Sequence, residues 1–222
     1  SERFQFLAGQ YLEFLLKDNK RRAYSIASAP HEEGPLELHI RHLPGGLFTD
    51  PLFGQTADGK QIKEKDILRF EGPLGSFFLR EDSKKPIIFL ASGTGFAPIK
   101  AMLTSIQNKK IDREIHFYWG GRRPKDLYMD SLCQEFTHTI PGFHYIPVIS
   151  EALPEDGWQG RTGFVHRAVM HDFSDLSSYQ VYACGAPIVI AAARTDFVKE
   201  CRLPEEEFFA DSFTSEADLI SA

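Results

Sequence analysis

The hydrophobic pattern of this chain changes its period near residues 81–86, and this change limits the fold more than any other feature of the sequence. Before it, apolar and polar residues alternate, as they do along residues 36–41, and such alternation is typical of half-buried β-strands. After it, short apolar runs such as residues 86–91 alternate with stretches of helical spacing such as residues 97–107. The chain therefore divides into two halves with different predicted secondary structure.

In the first half, strand-like segments are separated by turn residues, which predicts antiparallel β-structure in a small barrel or sandwich. In the second half, repeated strand–helix–strand units predict a parallel sheet with helices on both faces. We therefore predict one domain at residues 1–82 and another at residues 83–222. The predicted helices of the second half are 97–107, 125–136, 165–171 and 188–200, and its predicted strands are 86–91, 115–119, 143–149 and 180–184.

Composition excludes several classes of function. The chain has 25 basic and 31 acidic residues and a net charge of −6, so it lacks the positive field that binds a nucleic-acid backbone. No apolar run approaches the roughly 20 residues that a membrane span needs. The cysteines Cys133, Cys184 and Cys201 are 51 and 17 positions apart, which fits neither a disulfide framework nor a metal site. We expect a cytoplasmic protein with no metal site, nucleic-acid partner or membrane span.

The end of the chain is acidic. Residues 205–222 contain six acidic side chains and no Lys or Arg. A run of one charge at the end of a chain is usually solvated, so we predict an acidic tail in water. Its acidic residues are Glu205, Glu206, Glu207, Asp211, Glu216 and Asp218.

A glycine-rich turn at residues 92–98 follows the first buried strand of the second half and precedes a helix. Backbone N–H groups and the positive end of a helix dipole meet at such a point, which favours a ligand that carries phosphate. A second glycine turn, at residues 184–187, follows a later strand of the same predicted sheet, so both turns should face one crevice. The alternative is a pair of tight turns without a ligand, since Gly-x-Gly alone is weak evidence.

The first half contains two further candidate sites. Arg22 and Tyr24 lie on one face of a predicted strand and Ser25 lies on the other. An arginine is suited to binding phosphate, and a tyrosine is suited to stacking on a ring. Residues 44–50 form a glycine turn that enters a predicted helix, which is another place for an anion. On their own, these residues fit an ordinary surface arginine beside a half-buried tyrosine equally well.

The chain resembles the ferredoxin–NADP reductase superfamily of flavin-dependent oxidoreductases through four motifs in the same order. The motifs are Arg22-x-Tyr-Ser, Gly45-Gly46-x-x-Thr49, Gly93-x-Gly-x-x-Pro98 and Cys184-Gly-x-Pro187. The resemblance covers nearly the whole chain and is strongest to NAD(P)H–flavin reductases and to the reductase components of oxygenases and of CDP-6-deoxy-glucoseen reduction. It implies an antiparallel Greek-key barrel that binds flavin, followed by an α/β doubly wound parallel-sheet domain that binds NAD(P)H.

The resemblance also implies roles for individual residues. Arg22 would bind the flavin pyrophosphate, Tyr24 would stack on the isoalloxazine ring, and Ser25 would hydrogen-bond near flavin N5. Cys184 would lie beside the nicotinamide and Asp211 near the flavin, so Ser25, Cys184 and Asp211 are the catalytic candidates. The other implied cofactor-binding residues are His39, Ile40, Arg41, Gly46, Leu47, Thr49 and Phe213 on the flavin side, and Gly93, Thr94, Gly95, Pro98 and Gly185 on the NAD(P)H side.

Three features depart from that family. Its members usually have two more barrel strands before Phe6, so we expect the barrel to be N-terminally truncated in this chain. Relatives with an iron–sulfur domain ahead of the barrel use a Cys-x4-Cys-x2-Cys motif that is absent here, so a 2Fe–2S cluster is expected only if a further N-terminal domain exists. The sequence continues past Phe213, so no terminal aromatic residue covers the flavin as it does in plant-type members.

Residue 151 bears on the choice of nicotinamide cofactor. Glu151 follows the third predicted strand of the second half, where NADPH-specific members of the family commonly have an arginine. A carboxylate would repel a 2′-phosphate and could accept a hydrogen bond from a ribose hydroxyl. Arg122 and Arg123 end the neighbouring strand and could bind a phosphate instead. We predict FAD and NADH as cofactors, with FMN and NADPH as the alternatives.

These observations predict an enzyme that takes a hydride from NAD(P)H onto FAD. The electrons would then pass to an iron–sulfur centre, an oxygenase partner or free flavin. The rival interpretation is a non-catalytic binding or interaction module that keeps the fold without a functional flavin. Intact Arg22, Tyr24 and Ser25 favour the enzyme, whereas the truncated barrel is the reason to name the rival.

Overall fold

The computed structural model describes residues 4–213, which contain nine β-strands and five α-helices. The first half has strands β1 (Tyr11–Leu15), β2 (Arg21–Ser25) and β3 (Phe70–Leu74) and helix α1 (Thr49–Phe53). The second half has strands β4 (Ile87–Ser92), β5 (Ile115–Gly121), β6 (Phe143–Ile149), β7 (Arg161–Thr162), β8 (Gln180–Gly185) and β9 (Phe208–Ser212). Its helices are α2 (Phe96–Lys109), α3 (Asp130–Thr139), α4 (Val165–Asp172) and α5 (Pro187–Glu200). None of the described helices is both long enough and apolar enough to cross a membrane.

The first half folds around an antiparallel sheet in the order β2–β1–β3. Leu12 and Phe14 of β1 are buried, whereas the residues between and beside them are more exposed. This alternation is that of a sheet with one face on the core. The two side chains join Ile26 and Phe48 in a small hydrophobic core. The predicted antiparallel β-structure is therefore confirmed.

The predicted strand at residues 36–41 is wrong. In the structure this segment makes an antiparallel bridge between Ile26 and Leu38 and is otherwise irregular. Its apolar residues still pack on the small core, so the alternation reported their burial correctly. The side chains of Glu37 and His39 in this segment are instead hydrogen-bonded to residues of the second half.

In the described part of the second half, six strands lie parallel in the order β7–β6–β5–β4–β8–β9. The central strand β4 is covered on both faces, and Ile87 to Ala91 have no exposed surface. Helices α2 and α3 pack on one face of the sheet, and α4 and α5 pack on the other. A strand buried on both sides can be apolar without alternation. The predicted doubly wound α/β domain is confirmed.

One helix begins later than predicted. The helix expected from residue 125 begins at Asp130, and Pro124–Asp126 forms a 3-10 turn before it. The Asp126 carboxylate accepts hydrogen bonds from the backbone N–H groups of Arg122 and Arg123 at 3.0 and 2.9 Å. These bonds hold the loop after β5 in a turn, so the helix starts only beyond it.

The predicted acidic tail is wrong for the part that the structure describes. Glu205–Glu207 forms a 3-10 turn, and β9 then pairs in parallel with β8. Glu207 lies 2.6 Å from Lys85 Nζ in an ion pair. Phe208 is buried in the core, which holds this edge strand in place among its acidic neighbours. Two of the acidic residues, Glu216 and Asp218, lie outside the described residues.

The two halves share a hydrophobic core. Ala8 and Phe77 of the first half pack into the cluster that α2 forms with one face of the parallel sheet. The buried Arg113 side chain donates hydrogen bonds to the carbonyl oxygens of Arg80 and Lys85 at 3.2 and 2.6 Å. Arg113 therefore fixes both ends of the segment at residues 80–85, which connects the two halves.

Candidate functional site

The two glycine turns of the second half lie side by side at the carboxyl edge of the parallel sheet. They follow β4 and β8, which are adjacent strands. The Ala186 N–H group donates to Ser92 Oγ at 2.9 Å. A Cβ atom on Gly95 would lie 2.1 Å from the carbonyl oxygen of Cys184, so this close approach requires glycine. The two turns are therefore in direct contact at this edge.

The first turn leads directly into α2. Gly93–Gly95 forms a 3-10 turn, and the buried Pro98 lies in the first turn of the 14-residue helix that follows. The Gly93 carbonyl accepts a hydrogen bond from Trp119 Nε1 at 3.0 Å, which fixes the turn. A Cβ on Gly93 would meet no atom within 4 Å, so the backbone here borders open space. An anion in that space would gain from the helix dipole and the N–H groups.

Cys184 and Asp211 lie in an environment that disfavours charge. Cys184 is the last residue but one of β8 and is fully buried, and burial raises the pKa of its thiol well above the usual range. Asp211 is its register partner on β9, and burial raises the pKa of this carboxyl as well. The Phe213 N–H group donates to the Gly185 carbonyl oxygen at 2.8 Å. The thiol is therefore neutral at neutral pH rather than an activated nucleophile.

The candidate residues of β2 divide between two faces. Arg22 and Tyr24 share one face, and the Tyr24 ring packs 6.0 Å from the Phe14 ring and 5.5 Å from the Phe48 ring. Ser25 is buried, and its Oγ has no hydrogen-bond partner among the described residues. A buried hydroxyl without a hydrogen bond lowers the stability of the folded state by about 1–3 kcal/mol. This site therefore favours a ligand that supplies a polar atom. The residues present therefore fit the flavin that the motifs imply.

The glycine turn of the first half is shaped by Thr49. The buried Thr49 hydroxyl donates to the Leu43 carbonyl oxygen at 2.9 Å and accepts the Leu43 N–H group at 3.3 Å. A Cβ on Gly46 would lie 2.3 Å from the same hydroxyl, so this position also requires glycine. Leu47 lies at the surface of the turn, half exposed. Thr49 therefore contributes to this candidate site by fixing the shape of the turn.

A cleft of about 460 Å³ lies between the two halves. Its lining brings residues 39–41 of the first half together with Gly93 and Thr94 of the second half. Tyr128 and Met129 form part of the same wall. The other predicted site residues lie outside this lining: Arg22, Tyr24, Ser25, Gly46, Leu47, Thr49, Gly95, Pro98, Arg122, Glu151, Cys184, Gly185, Asp211 and Phe213.

A hydrogen-bond network that sequence reasoning missed joins the halves beside this cleft. Lys100 Nζ lies 2.9 Å from Glu37 Oε2, and Glu37 Oε1 lies 2.7 Å from His39 Nε2. His39 Nδ1 lies 2.7 Å from the Tyr128 hydroxyl. Since an ionised Glu37 only accepts, Nε2 of His39 carries the proton and Nδ1 accepts the Tyr128 O–H group. A lysine inside the apolar run of residues 96–103 was the available signal.

Two charged residues meet where β5 and β6 end. Arg122 Nε lies 3.8 Å from Glu151 Oε1, and both side chains are exposed. Arg123 is held by Asp156 through two hydrogen bonds of 2.8 and 2.7 Å. Arg123 is therefore committed to a structural ion pair. Glu151 and Arg122 are exposed charges that a ligand at this edge would meet.

Two exposed apolar side chains at the same edge of the sheet were also missed. Phe164 precedes α4 and is 69% exposed, and Ile188 lies in the first turn of α5 and is 80% exposed. Each follows the carboxyl end of a strand, β7 or β8. Hydrophobic periodicity gave no signal, because each residue is simply the first apolar side chain of a helix that packs on the core. Both could contact a flat ring bound along this edge.

The sequence matches two domain families. Residues 1–79 match the oxidoreductase FAD-binding domain. Residues 89–195 match the oxidoreductase NAD-binding domain. The matches assign FAD to the first half and NAD to the second half, as the motifs predict.

Several known proteins are similar to this chain. It is 44% identical over 211 residues to the CDP-6-deoxy-L-threo-D-glycero-4-hexulose-3-dehydrase reductase of Yersinia pestis, covering 95% of this chain and 60% of that protein. It is 32% identical over 209 residues to a probable flavin reductase of Aliivibrio fischeri, covering 94% of this chain and 86% of that protein. The crystal structure of the Amycolatopsis cytochrome P450 reductase GcoB matches with a TM-score of 0.84 and 31% identity, covering 97% of this chain and 63% of that one.

The chain thus spans less than two thirds of the length of the Yersinia and Amycolatopsis proteins, and most of the length of the Aliivibrio protein. The order of the motifs, the two sheets and these similarities agree with one another. The chain belongs to the ferredoxin reductase-like family of FAD- and NAD-binding oxidoreductases.

Proposed function

We propose that this chain is the FAD- and NADH-binding part of an electron-transfer reductase. The proposed reaction moves a hydride from NADH to bound FAD, and electrons then pass to a second acceptor. The observation that carries the proposal is the cleft of about 460 Å³, because its lining joins residues 39–41 of the FAD-binding half to Gly93 and Thr94 of the NAD-binding half. A cleft with this lining would place the two cofactors next to each other.

Strand β2 would hold the flavin in the first half. The Arg22 guanidinium offers two parallel donors to a pyrophosphate. Tyr24, fixed by Phe14 and Phe48, offers an aromatic face for a ring. The Ser25 hydroxyl would find in the flavin the partner that the described residues do not supply. Backbone N–H groups of the turn at residues 44–50 would bind a phosphate oxygen.

The two glycine turns would hold NADH in the second half. The N-terminus of α2 is placed to bind the NADH pyrophosphate, and Gly95 lets that turn approach the end of β8. There, Cys184 would border the nicotinamide as a neutral thiol, and burial raises the pKa of the neighbouring Asp211 carboxyl. Hydride transfer needs alignment and exclusion of water rather than a strong base. This corner of the structure would supply both.

Glu151 would select NADH over NADPH. Its carboxylate is exposed at the end of β6, where it would repel a 2′-phosphate and accept a hydrogen bond from a 2′-hydroxyl. Arg123 cannot offset this effect while Asp156 binds it in two hydrogen bonds. Arg122 is an exposed cation at this edge, and the Glu151 carboxylate 3.8 Å away partly offsets its attraction for a phosphate.

We also propose that the FAD-binding domain ends at residue 82 and that the NAD-binding domain begins at residue 83. The domain-family matches, which end at residue 79 and begin again at residue 89, support this boundary. The three-stranded sheet ends at Leu74 and the parallel sheet starts at Ile87, which supports it as well.

The first experiment is an absorption spectrum of the purified protein that contains this chain, before and after anaerobic addition of NADH. We expect flavin bands that bleach with NADH, and additional reddish absorbance if an iron–sulfur centre accepts the electrons. A colourless protein that reduces added flavin would identify free flavin as the acceptor. A protein that neither contains flavin nor reduces it would overturn the proposal and favour the non-catalytic module.

A further inference from the structure

Three metal-ligating side chains meet at the edge of the parallel sheet opposite the glycine turns. His116 and His144 are the second residues of β5 and β6, and they are register partners on these adjacent strands. Glu114 immediately precedes β5. Each strand continues for five residues beyond its histidine, so the cluster lies roughly 16 Å from the cofactor edge. The proposed function uses none of these three residues.

The geometry is that of a nearly assembled cation site. The possible ligand atoms of Glu114, His116 and His144 all lie within 4.8 Å of one another. Glu114 Oε1 is 2.8 Å from His116 Nε2. The two imidazole rings have centroids 4.6 Å apart and planes 15° apart. No bound ion is required to hold this arrangement, because the strand register already places the two histidines side by side.

The three side chains differ in freedom of movement. The His116 side chain is only 14% exposed, and Phe173 packs edge-on against its ring with centroids 4.9 Å apart. Glu114 and His144 are exposed and can rotate. Two ligands of one zinc ion lie no more than about 4.2 Å apart, since each bond is about 2.1 Å. A small rotation of the two exposed side chains about the fixed His116 would therefore complete the site.

We propose that Glu114, His116 and His144 bind a divalent cation of the zinc class. Two imidazoles and one carboxylate suit Zn²⁺ and its neighbours in the transition series better than Mg²⁺ or Ca²⁺, which prefer oxygen ligands. Three protein ligands leave the fourth position of a tetrahedral ion for water. The ion would tie the starts of β5 and β6 to each other, so it would stabilise the folded state. The site is independent of the FAD- and NADH-binding crevice.

The test is calorimetric titration of the purified, flavin-containing protein with ZnCl₂ in a buffer that does not chelate metals. We expect saturable binding of a single Zn²⁺ per chain. His144→Ala should weaken that binding roughly tenfold or more, and Glu114→Gln should weaken it by a smaller factor. His138→Ala is the matched control, because His138 is a histidine of α3 outside the cluster, and it should bind Zn²⁺ like the parent.

Thermal unfolding provides a second readout of the same proposal. Saturating Zn²⁺ should raise the Tm of the parent and of His138→Ala, but not that of His144→Ala. His144 is exposed, so its replacement should leave the fold and the Tm without metal unchanged. Equal Zn²⁺ affinity in the parent and His144→Ala would overturn the site, as would absence of saturable binding in the parent. Either result would leave the proposed FAD- and NADH-dependent activity untouched.

Discussion

Two neighbouring arginines on β2 illustrate how one strand places side chains of the same chemistry in different surroundings. Arg21 lies on one face, in ion pairs with Glu13 and Glu71 of the adjacent strands. Arg22 lies on the opposite face, level with Phe14 and next to Tyr24. The alternation of the strand thus gives residues of identical chemistry different roles.

Replacing Arg22 by Ala should remove a charge-assisted contact to the flavin pyrophosphate. A contact of this kind is worth about 1.5–3 kcal/mol, which corresponds to roughly 10- to 100-fold in affinity. We expect the purified Arg22→Ala protein to contain much less flavin while its unfolding free energy falls by less than about 1 kcal/mol. Arg21→Ala is the control and should keep its flavin. Equal flavin content in Arg22→Ala and the parent would refute the pyrophosphate assignment.

Glu151 makes a second prediction at the level of one residue. Glu151→Arg replaces a repelling carboxylate by a cation at the end of β6, so the ratio of kcat/KM for NADPH to that for NADH should rise. One new charge-assisted contact supports an increase of about tenfold or more. Arg122→Ala measures the contribution of the neighbouring cation. An unchanged ratio in Glu151→Arg would show that another residue sets the cofactor preference.

His39 makes a prediction about pH. Burial lowers the pKa of His39 below its usual range, even though Glu37 acts in the opposite direction. The unfolded chain therefore takes up this proton at a higher pH than the folded chain. Above about pH 6.5, His39 is neutral in both states and does not affect stability. Below that pH, the free energy of unfolding decreases as the pH falls toward the lowered pKa of the folded state.

The loss is measured as the difference in unfolding free energy between about pH 7.5 and about pH 5.5. His39→Gln has no imidazole to titrate at this position, so its stability should fall less over that interval than the parent's. His138→Gln, at an α3 histidine remote from the network, should follow the parent. Identical pH slopes for the parent and His39→Gln would contradict the buried, neutral imidazole.

At the level of elements, charged side chains of α2 form ion pairs with the first half. The Lys100 side chain is 8% exposed, and its Nζ lies 2.9 Å from Glu37 Oε2. Glu37 belongs to the first half but lies outside its sheet. On the same helix, Lys109 forms an ion pair with Glu81 in which both side chains are about half exposed. The two pairs have the same chemistry and differ mainly in the burial of the lysine. The Lys100 pair should therefore matter more, since water screens a buried ammonium group less than an exposed one.

Lys100→Met should lower the unfolding free energy by about 1.5–3 kcal/mol, the usual contribution of a hydrogen bond to a charged group. Lys109→Met, the matched control, should change it by less than about 1 kcal/mol, as exposed pairs do. Urea denaturation measures both. If Glu37 and Lys100 interact directly, the double variant Glu37→Gln/Lys100→Met should lose less than the sum of the single variants. Equal losses in the two lysine variants would rule out a special role for the Lys100 pair.

At the level of the whole molecule, one cleft joins residues 39–41 of the first half to Gly93 and Thr94 at the carboxyl edge of the parallel sheet, while the histidine cluster occupies the opposite edge. Ala8 and Phe77 of the first half pack in the hydrophobic core of the second half, so the two halves share one core. An electron-transfer reductase needs this arrangement, because two cofactors bound to separate domains react only when the domains hold them in contact.

The sequence by itself determined the two halves, the antiparallel and parallel sheets and the position of the glycine turns. It did so because these features depend on local patterns: alternation for a half-buried strand, apolar runs for a strand buried on both faces, and glycine where backbones approach closely. Gly95 shows the last case, since the Cys184 carbonyl leaves no room for a side chain. Local patterns therefore predicted the fold class, and the resemblance to a family of flavin-dependent oxidoreductases implied the cofactors.

Only the tertiary structure decided how distant residues combine. The pairing of Lys100 with Glu37, the course of residues 36–41 outside the sheet and the docking of the acidic segment as β9 each depend on residues far apart in the chain. So does the meeting of His116 and His144. Local periodicity carries no information about such partners, because hydrogen bonds and ion pairs between elements depend on packing that brings together side chains from separate parts of the sequence.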